Sequence, residues 1–461
     1  MSHFTPRARG VVRALLPRLA AIVFSAQAAS ATTWVVDINN GPGTNFTSIG
    51  AAIAAASPGD VILVRAGAYF ESLVLSKGVN IVGWNANAYP LQVPANPFVD
   101  VVWGTLLIQN VPVGQTAVIS GITIARPSAV SDVNLGIHQC DGTVVIDRVF
   151  CANGGVYVGD STDVLFQDVR VRHVPATLPP IPGVYVTNAQ LQASDLDATA
   201  TDLGGEPNFE ISAPHALFAT NGALVALCRP KLIGATGGGP WITSPQTPGG
   251  GSAVYCTAGA TVSIIGNGNG LYYLVGGQGG VRGVGSAPGI ASGFGGPAIL
   301  VENGGTVVTK GAPTPIPGPP GANLAGGPLG VAPPGVLTLG GAIHTNIPQT
   351  PATLVLQGPT MPSTNCLVNY TAAAPFLPFV MVIATNMELS PLPPAVQFLG
   401  GDPNSAIFTL AGVANAARKA FIGLNFQPSF AGIDGLAAVI QGADVVGGVF
   451  YLTNPSIITL P

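Results

Sequence analysis

Between residues 136 and 300 the chain repeats one pattern six times: a small residue, three mostly apolar ones, a turn, then a second apolar strand. The repeats start at Gly136, Gly155, Gly183, His215, Ser252 and Pro297, at intervals of 19, 28, 32, 37 and 45 residues. A unit of this kind cannot bury its apolar face alone; stacking it on its neighbours can. Roughly twenty residues suffice for one coil of a parallel β-helix, within the span of solenoid repeats. The first interval is therefore a bare coil, and the later ones carry added loops at 178–181, 202–210, 234–251, 276–296 and 311–335. Loops that lengthen on successive coils predict a ridge down one side, serving either as a binding side or as a shield over strand edges. Composition agrees with many short strands: 48 % apolar and 8 % charged residues, with 62 Gly and 42 Pro for turns.

Residues 1–31 have the form of a secretory signal: Arg7, Arg9, Arg13 and Arg18, a short apolar run at 19–24, and Ala29-Ser30-Ala31 for cleavage. The apolar run is too short to span a bilayer. A secreted or cell-surface protein is expected, with no membrane span in the mature chain. Cleavage leaves 12 bases against all 20 acids, which excludes a nucleic-acid partner.

After the signal come a strand at 33–37 and a short helix with Phe46, Ile49, Ile53 and Ala56 on one face. Thr47 or Ser48 can cap this helix, and Ser57-Pro58-Gly59 stops it. Strands follow at 61–65, 72–75 and 79–82. The stretch Phe46-Thr47-Ser48-Ile49, Ala52-Ile53, Gly59-Asp60-Val61-Ile62-Leu63-Val64, Ala66-Gly67-Ala68-Tyr69, Glu71, Asn80-Ile81 and Gly83 resembles the opening of pectin lyase-like β-helix proteins. It is most similar to the start of pectin methylesterases and of related carbohydrate-binding and sugar-hydrolase domains. The resemblance implies a right-handed parallel β-helix whose base is closed by the helix. The expected fold is all-β: that β-helix over 32–365, then a small antiparallel β-sandwich over 370–461. The longer apolar segments from 379 onward suggest the sandwich, placed at the end of the β-helix as a cap or attachment module.

Residues 132–210 hold 11 of the 20 acids. Asp168-Val169-Arg170-Val171-Arg172 and Asp195-Leu196-Asp197 are 27 residues apart, one local coil, and Asp147-Arg148 lies a coil earlier. Alternation predicts Asp168, Arg170, Arg172, Asp195 and Asp197 on one outward face. Resemblance to the family's polysaccharide lyases implies Asp168, Asp195 and Asp197 as Ca²⁺ ligands, Arg170 or Arg172 as the stabilising or abstracting group, and His173 as an alternative base. The competing expectation is a solvated face laced with Asp–Arg pairs. Pectin methylesterase motifs beyond the opening are missing, and no Asp-Asp pair for polygalacturonase-type hydrolysis exists. Tyr157, Tyr185 and Tyr255 recur at matching places, expected as an interior stack, with a sugar-stacking platform as the alternative. His138 and His215, at repeat starts, are expected in core or turn roles. Cys140 and Cys151 are close enough in sequence to bridge neighbouring strands, with buried free thiols as the other reading. These features favour a protein that binds glycans or a surface partner without catalysis. A lyase on acidic polysaccharides and a structural envelope or matrix protein are the alternatives; the sequence sets no oligomeric state.

Overall fold

The computed structural model describes residues 31–83, 100–126, 133–172, 181–200, 213–238, 249–266, 272–282, 291–312, 314–324 and 328–347, and most strands between 353 and 459. The segment up to residue 30, where a secretory signal is expected, the loop 202–210 and His173 lie outside the described residues.

Three parallel sheets form the walls of a right-handed parallel β-helix. Wall A has 11 strands, from Thr33–Val36 to Ile343–Ile347. Wall B has 8, from Gly67–Tyr69 to Tyr273–Val275, and wall C has 9, from Leu73–Leu75 to Val336–Thr338. A full coil runs C, A, B: Gly155–Gly159, Asp163–Gln167 and Arg170–Arg172, then Val184–Thr187 starts the next. Alternate residues of each strand point inward and stack on their counterparts. On wall C the inward column Ile108, Ile137, Val158, Val186, Ala219, Cys256 and Val301 is 0 % exposed throughout. Each large side chain in such a column is worth about 1.5–3 kcal/mol of burial.

The repeat starts read from the sequence need two shifts of frame. Tyr185 pairs with Phe218 and Phe218 with Tyr255, so Ala216 and Ala253, not His215 and Ser252, align with Gly183. Gly136 pairs with Tyr157, so Val133 and not Gly136 lies opposite Gly155, and a bulge at Asn134 inserts a residue between Val133 and Leu135. The Asn134 side chain spends that extra residue on the neighbouring edge, donating to the Ala152 carbonyl at 2.6 Å.

The helix Ile49–Ala55 buries Ile49, Ala52 and Ile53 against the first coil. Ser48 is its N-cap, accepting from the Ala51 N–H at 3.1 Å. The added loops around residues 178–296 leave wall B and return to wall C. The later ones pack backbone to backbone. Gly277 donates to Gly251 (2.7 Å), Gly296 to Gly277 (2.8 Å) and Gly318 to Gly296 (2.8 Å). A Cβ on Gly277 would sit 1.7 Å from the Ala235 oxygen, so only glycine permits this approach.

Beyond the β-helix the pairing turns antiparallel. Thr353–Gln357, Asn365–Thr371 and Lys419–Asn425 form one small sheet. Pro378–Ala384 joins Ala406–Val413 and Ala437–Val446 in another. These strands do not simply follow the last coil. Met387–Leu392 and Ser456–Thr459 come against the wall A strand Asp163–Gln167, midway along the helix. In the outward column of wall A, Val118, Val145, Leu165, Gln192, Ser263 and Val308 are at most 6 % exposed, while Ala226, between Gln192 and Ser263, is half-buried. Cys140, Cys151, Cys228 and Cys256 are buried and free, so the bridge considered for Cys140 and Cys151 does not form.

Candidate functional site

Wall C differs from wall A in what it presents outward. Its outer column runs Val74, Leu107, Gly136, Tyr157, Tyr185, Phe218, Tyr255, Leu300 and Leu337 in unbroken register. The tyrosines are therefore outside the tube, not the interior stack expected. Val156 and Val158 occupy the inward positions, and Tyr157 between them must face the other way. Phe218 extends the row. The one-residue frame error hid it, although an aromatic beside a buried Leu217 was legible.

The four rings are not equivalent. Tyr185 and Phe218 stack at 5.1 Å and 19°, and Phe218 and Tyr255 at 4.8 Å and 11°. Tyr157 is turned 67° from Tyr185. It lies down over Gly159, where a Cβ would meet its Oη at 2.3 Å and its Cζ at 2.6 Å. The His138 ring lies nearly parallel to it, 16° and 6.0 Å away. With one side against the glycine backbone, Tyr157 turns its other face outward.

A polar edge runs beside this row, at the corner from wall C to wall A. Asn110, Gln139, Asp160, Asn188, Asn221 and Asn303 sit there with φ between 46° and 54°. Asparagine and aspartate tolerate this left-handed backbone better than most other residues with a Cβ, which is why they recur there on five coils, with Gln139 and Ala258 in the same place on two others. Asn188 Nδ2 donates to Asp160 Oδ1 at 2.7 Å, and His138 Nε2 lies 3.5 Å from Asp160 Oδ2. Tyr255 donates its hydroxyl to Glu302 Oε2 at 2.9 Å. Burial, reinforced by Asp160, raises the Tyr157 pKa; burial and Glu302 do the same for Tyr255. Both phenols remain neutral donors. A hollow of about 300 Å³ lined by Asp160, Ser161, Thr162, Asn188, Gln190 and Gly222 opens at this edge. Sequence reading missed Asp160 and Asn188; the Asn or Asp recurring after most of these strands was the available signal.

The residues singled out for catalysis and Ca²⁺ lie elsewhere and fall into two columns, not one face. Arg148, Asp168, Asp195 and Arg229 occupy the left-handed corner between walls A and B, with φ of 47–57°. Arg170, Asp197 and Lys231 pair in register on the outside of wall B. Every carboxylate has a cation. Asp168 Oδ1 is 3.5 Å from Arg170 Nε, Asp197 Oδ2 is 2.7 Å from Arg172, and Asp195 pairs with Arg229. Burial raises the pKa of Asp168 and of Asp195 against the pull of their arginines, and each is raised further by a neighbouring aspartate. Among the described residues, no three His, Cys, Asp or Glu converge as a metal site. What this wall displays is the ladder of Asp–Arg pairs.

No protein-family model matches the chain, and no curated protein matches it. Among solved structures, it is similar to tailspike protein gp49 of Acinetobacter baumannii bacteriophage Fri1, described as a capsular polysaccharide depolymerase. Identity there is 10 % and the TM-score 0.22, over 87 % of this chain and 81 % of that one. A second is the enzymatically active domain of bacteriophage CBA120 tailspike protein 4, at 9 % identity and TM-score 0.21. That match covers 89 % of this chain and 65 % of the other, less than two thirds of its length. The β-helix assignment rests on the strand pairings and not on these likenesses.

Proposed function

We propose that this is a secreted or cell-surface β-helix protein, of the pectin lyase-like kind its opening resembles, that binds glycans along the outside of wall C. The observation that carries the reading is the outward aromatic row, with Tyr157 laid flat over Gly159 beside Asp160 and Asn188. A sugar ring has an apolar C–H face and an equatorial belt of hydroxyls. Aromatic faces suit the first, and fixed amides and carboxylates suit the second. Successive coils repeat at about 4.8 Å. Tyr157 offers the ring face, and the mutually stacked Tyr185, Phe218 and Tyr255 continue the row for about 14 Å with their edges outward.

Glycan-array binding followed by titration calorimetry tests this. Tyr157→Ala should weaken binding of the captured glycan roughly tenfold, about 1.4 kcal/mol. Gly159→Val, which keeps all four aromatic residues but displaces the Tyr157 ring from the wall, should weaken it comparably while circular dichroism stays unchanged. If both variants bind like the parent, or no glycan is captured, wall C is not a glycan face.

A further inference from the structure

The cylinder is electrically lopsided, and this constrains which glycans wall C can hold. Beyond Lys77, every lysine or arginine of the β-helix lies away from wall C and the corner that follows it. Arg148 and Arg229 stand at the corner between A and B, and Arg170, Arg172 and Lys231 on wall B. Arg126 follows a wall B strand, and Arg282 and Lys310 are at most 3 % exposed. By sequence, the added loops that return to wall C contain no cation other than Arg282. Beside the aromatic row stand carboxylates instead. Asp160, with a side chain 43 % exposed, flanks Tyr157, and Glu302 is bonded to the Tyr255 hydroxyl. Four coils separate them, about 19 Å. Asp141, also exposed, lies on the same corner one coil below Asp160.

We infer that wall C takes a glycan bearing protonated amines and rejects polyuronates. This rests on the glycan reading above and names its substrate class. A chain of sugar carboxylates laid along the row would meet Asp160 and Glu302 with no cation to pair with. Like charges within a Debye length of about 8–10 Å repel. An ammonium group on the sugar reverses both terms. It gains charge-assisted hydrogen bonds from the two carboxylates, and it is attracted to the face of Tyr157.

The test uses the full mature chain and three β-1,4-linked hexasaccharides of one length: glucosamine, N-acetylglucosamine and galacturonate. At low salt and mildly acidic pH, where the sugar amines carry their protons, the glucosamine oligomer should bind tightest. The acetylated one should be about tenfold weaker, and galacturonate undetectable. Asp160→Asn with Glu302→Gln should bring glucosamine down to the acetylated level, and so should high salt. Galacturonate binding as tightly as glucosamine, with sensitivity to Tyr157→Ala, overturns the charge selection and leaves the glycan face standing. Binding of none of the three, alongside an empty glycan array, overturns the glycan reading itself.

Discussion

At His215 the imidazole lies between Phe218 and Tyr255, with ring centroids 6.1 and 4.6 Å away, and its Nδ1 accepts from the Ser252 N–H at 2.9 Å. Desolvation pulls its pKa down to about 4, so the folded chain holds it neutral. The unfolded chain takes up the proton near pH 6.5. A depressed folded pKa means stability is complete above about 6.5 and is lost as pH falls towards 4. His215→Gln should flatten the fall in thermal midpoint across that window; an unchanged slope would place the acid sensitivity elsewhere. Asp195 depends on its partner in a different way. Arg229→Met removes the cation from a carboxylate at a corner 30 % exposed, and cost there is tempered by water. Both residues show a chemistry set by neighbours thirty or more positions distant.

At the scale of elements, the capping helix is the clearest case of sequence meeting tertiary need. Seven residues are too few to hold a helix in water, so Ile49–Ala55 depends on what fixes its ends. Ser48 does part of this locally. Glu71 does more from a distance: its carboxylate accepts from Ile49 N–H (3.0 Å), Gly50 N–H (2.9 Å) and Ser48 Oγ (2.8 Å). Negative charge at a helix start is favourable, and two orphan N–H groups and the Ser48 hydroxyl are satisfied at once. Glu71→Ala should cost about 1–2 kcal/mol locally and speed hydrogen exchange at 49–55, with Glu71→Gln intermediate. Equal exchange in all three would assign the cap to Ser48 alone. The amphipathic pattern and the Ser48 cap were legible in the sequence. Glu71 stood in the stretch that carried the family resemblance, but its role needs the chain to wind once around before the carboxylate meets the helix.

For the whole molecule, equivalent outward positions meet different fates. Leu165 on wall A is 1 % exposed because the C-terminal strands come against that wall, while Val74 on wall C is 52 % exposed. Leu165→Lys should therefore destabilise the chain by several kcal/mol and open the C-terminal strands to protease. Leu107→Lys, outward on wall C, should shift stability by no more than about 0.5 kcal/mol. Similar losses for both would mean that wall A is not covered as described. The repeat, the all-β character, the capping helix and the coil-by-coil insertions were fixed by the order of residues alone, because strand alternation and turn chemistry act over a few positions. Which side of each strand faced water was not. A one-residue slip moves every side chain to the opposite face, and the repeat starts at His215 and Ser252 stood one residue out of frame. Only the stacked coils decided that the tyrosines form an outer row, that Asp195 and Asp197 pair with arginines from adjacent coils, and that C-terminal strands come against the middle of wall A. Those contacts join residues tens of positions apart, and their partners exist only after the chain has closed on itself.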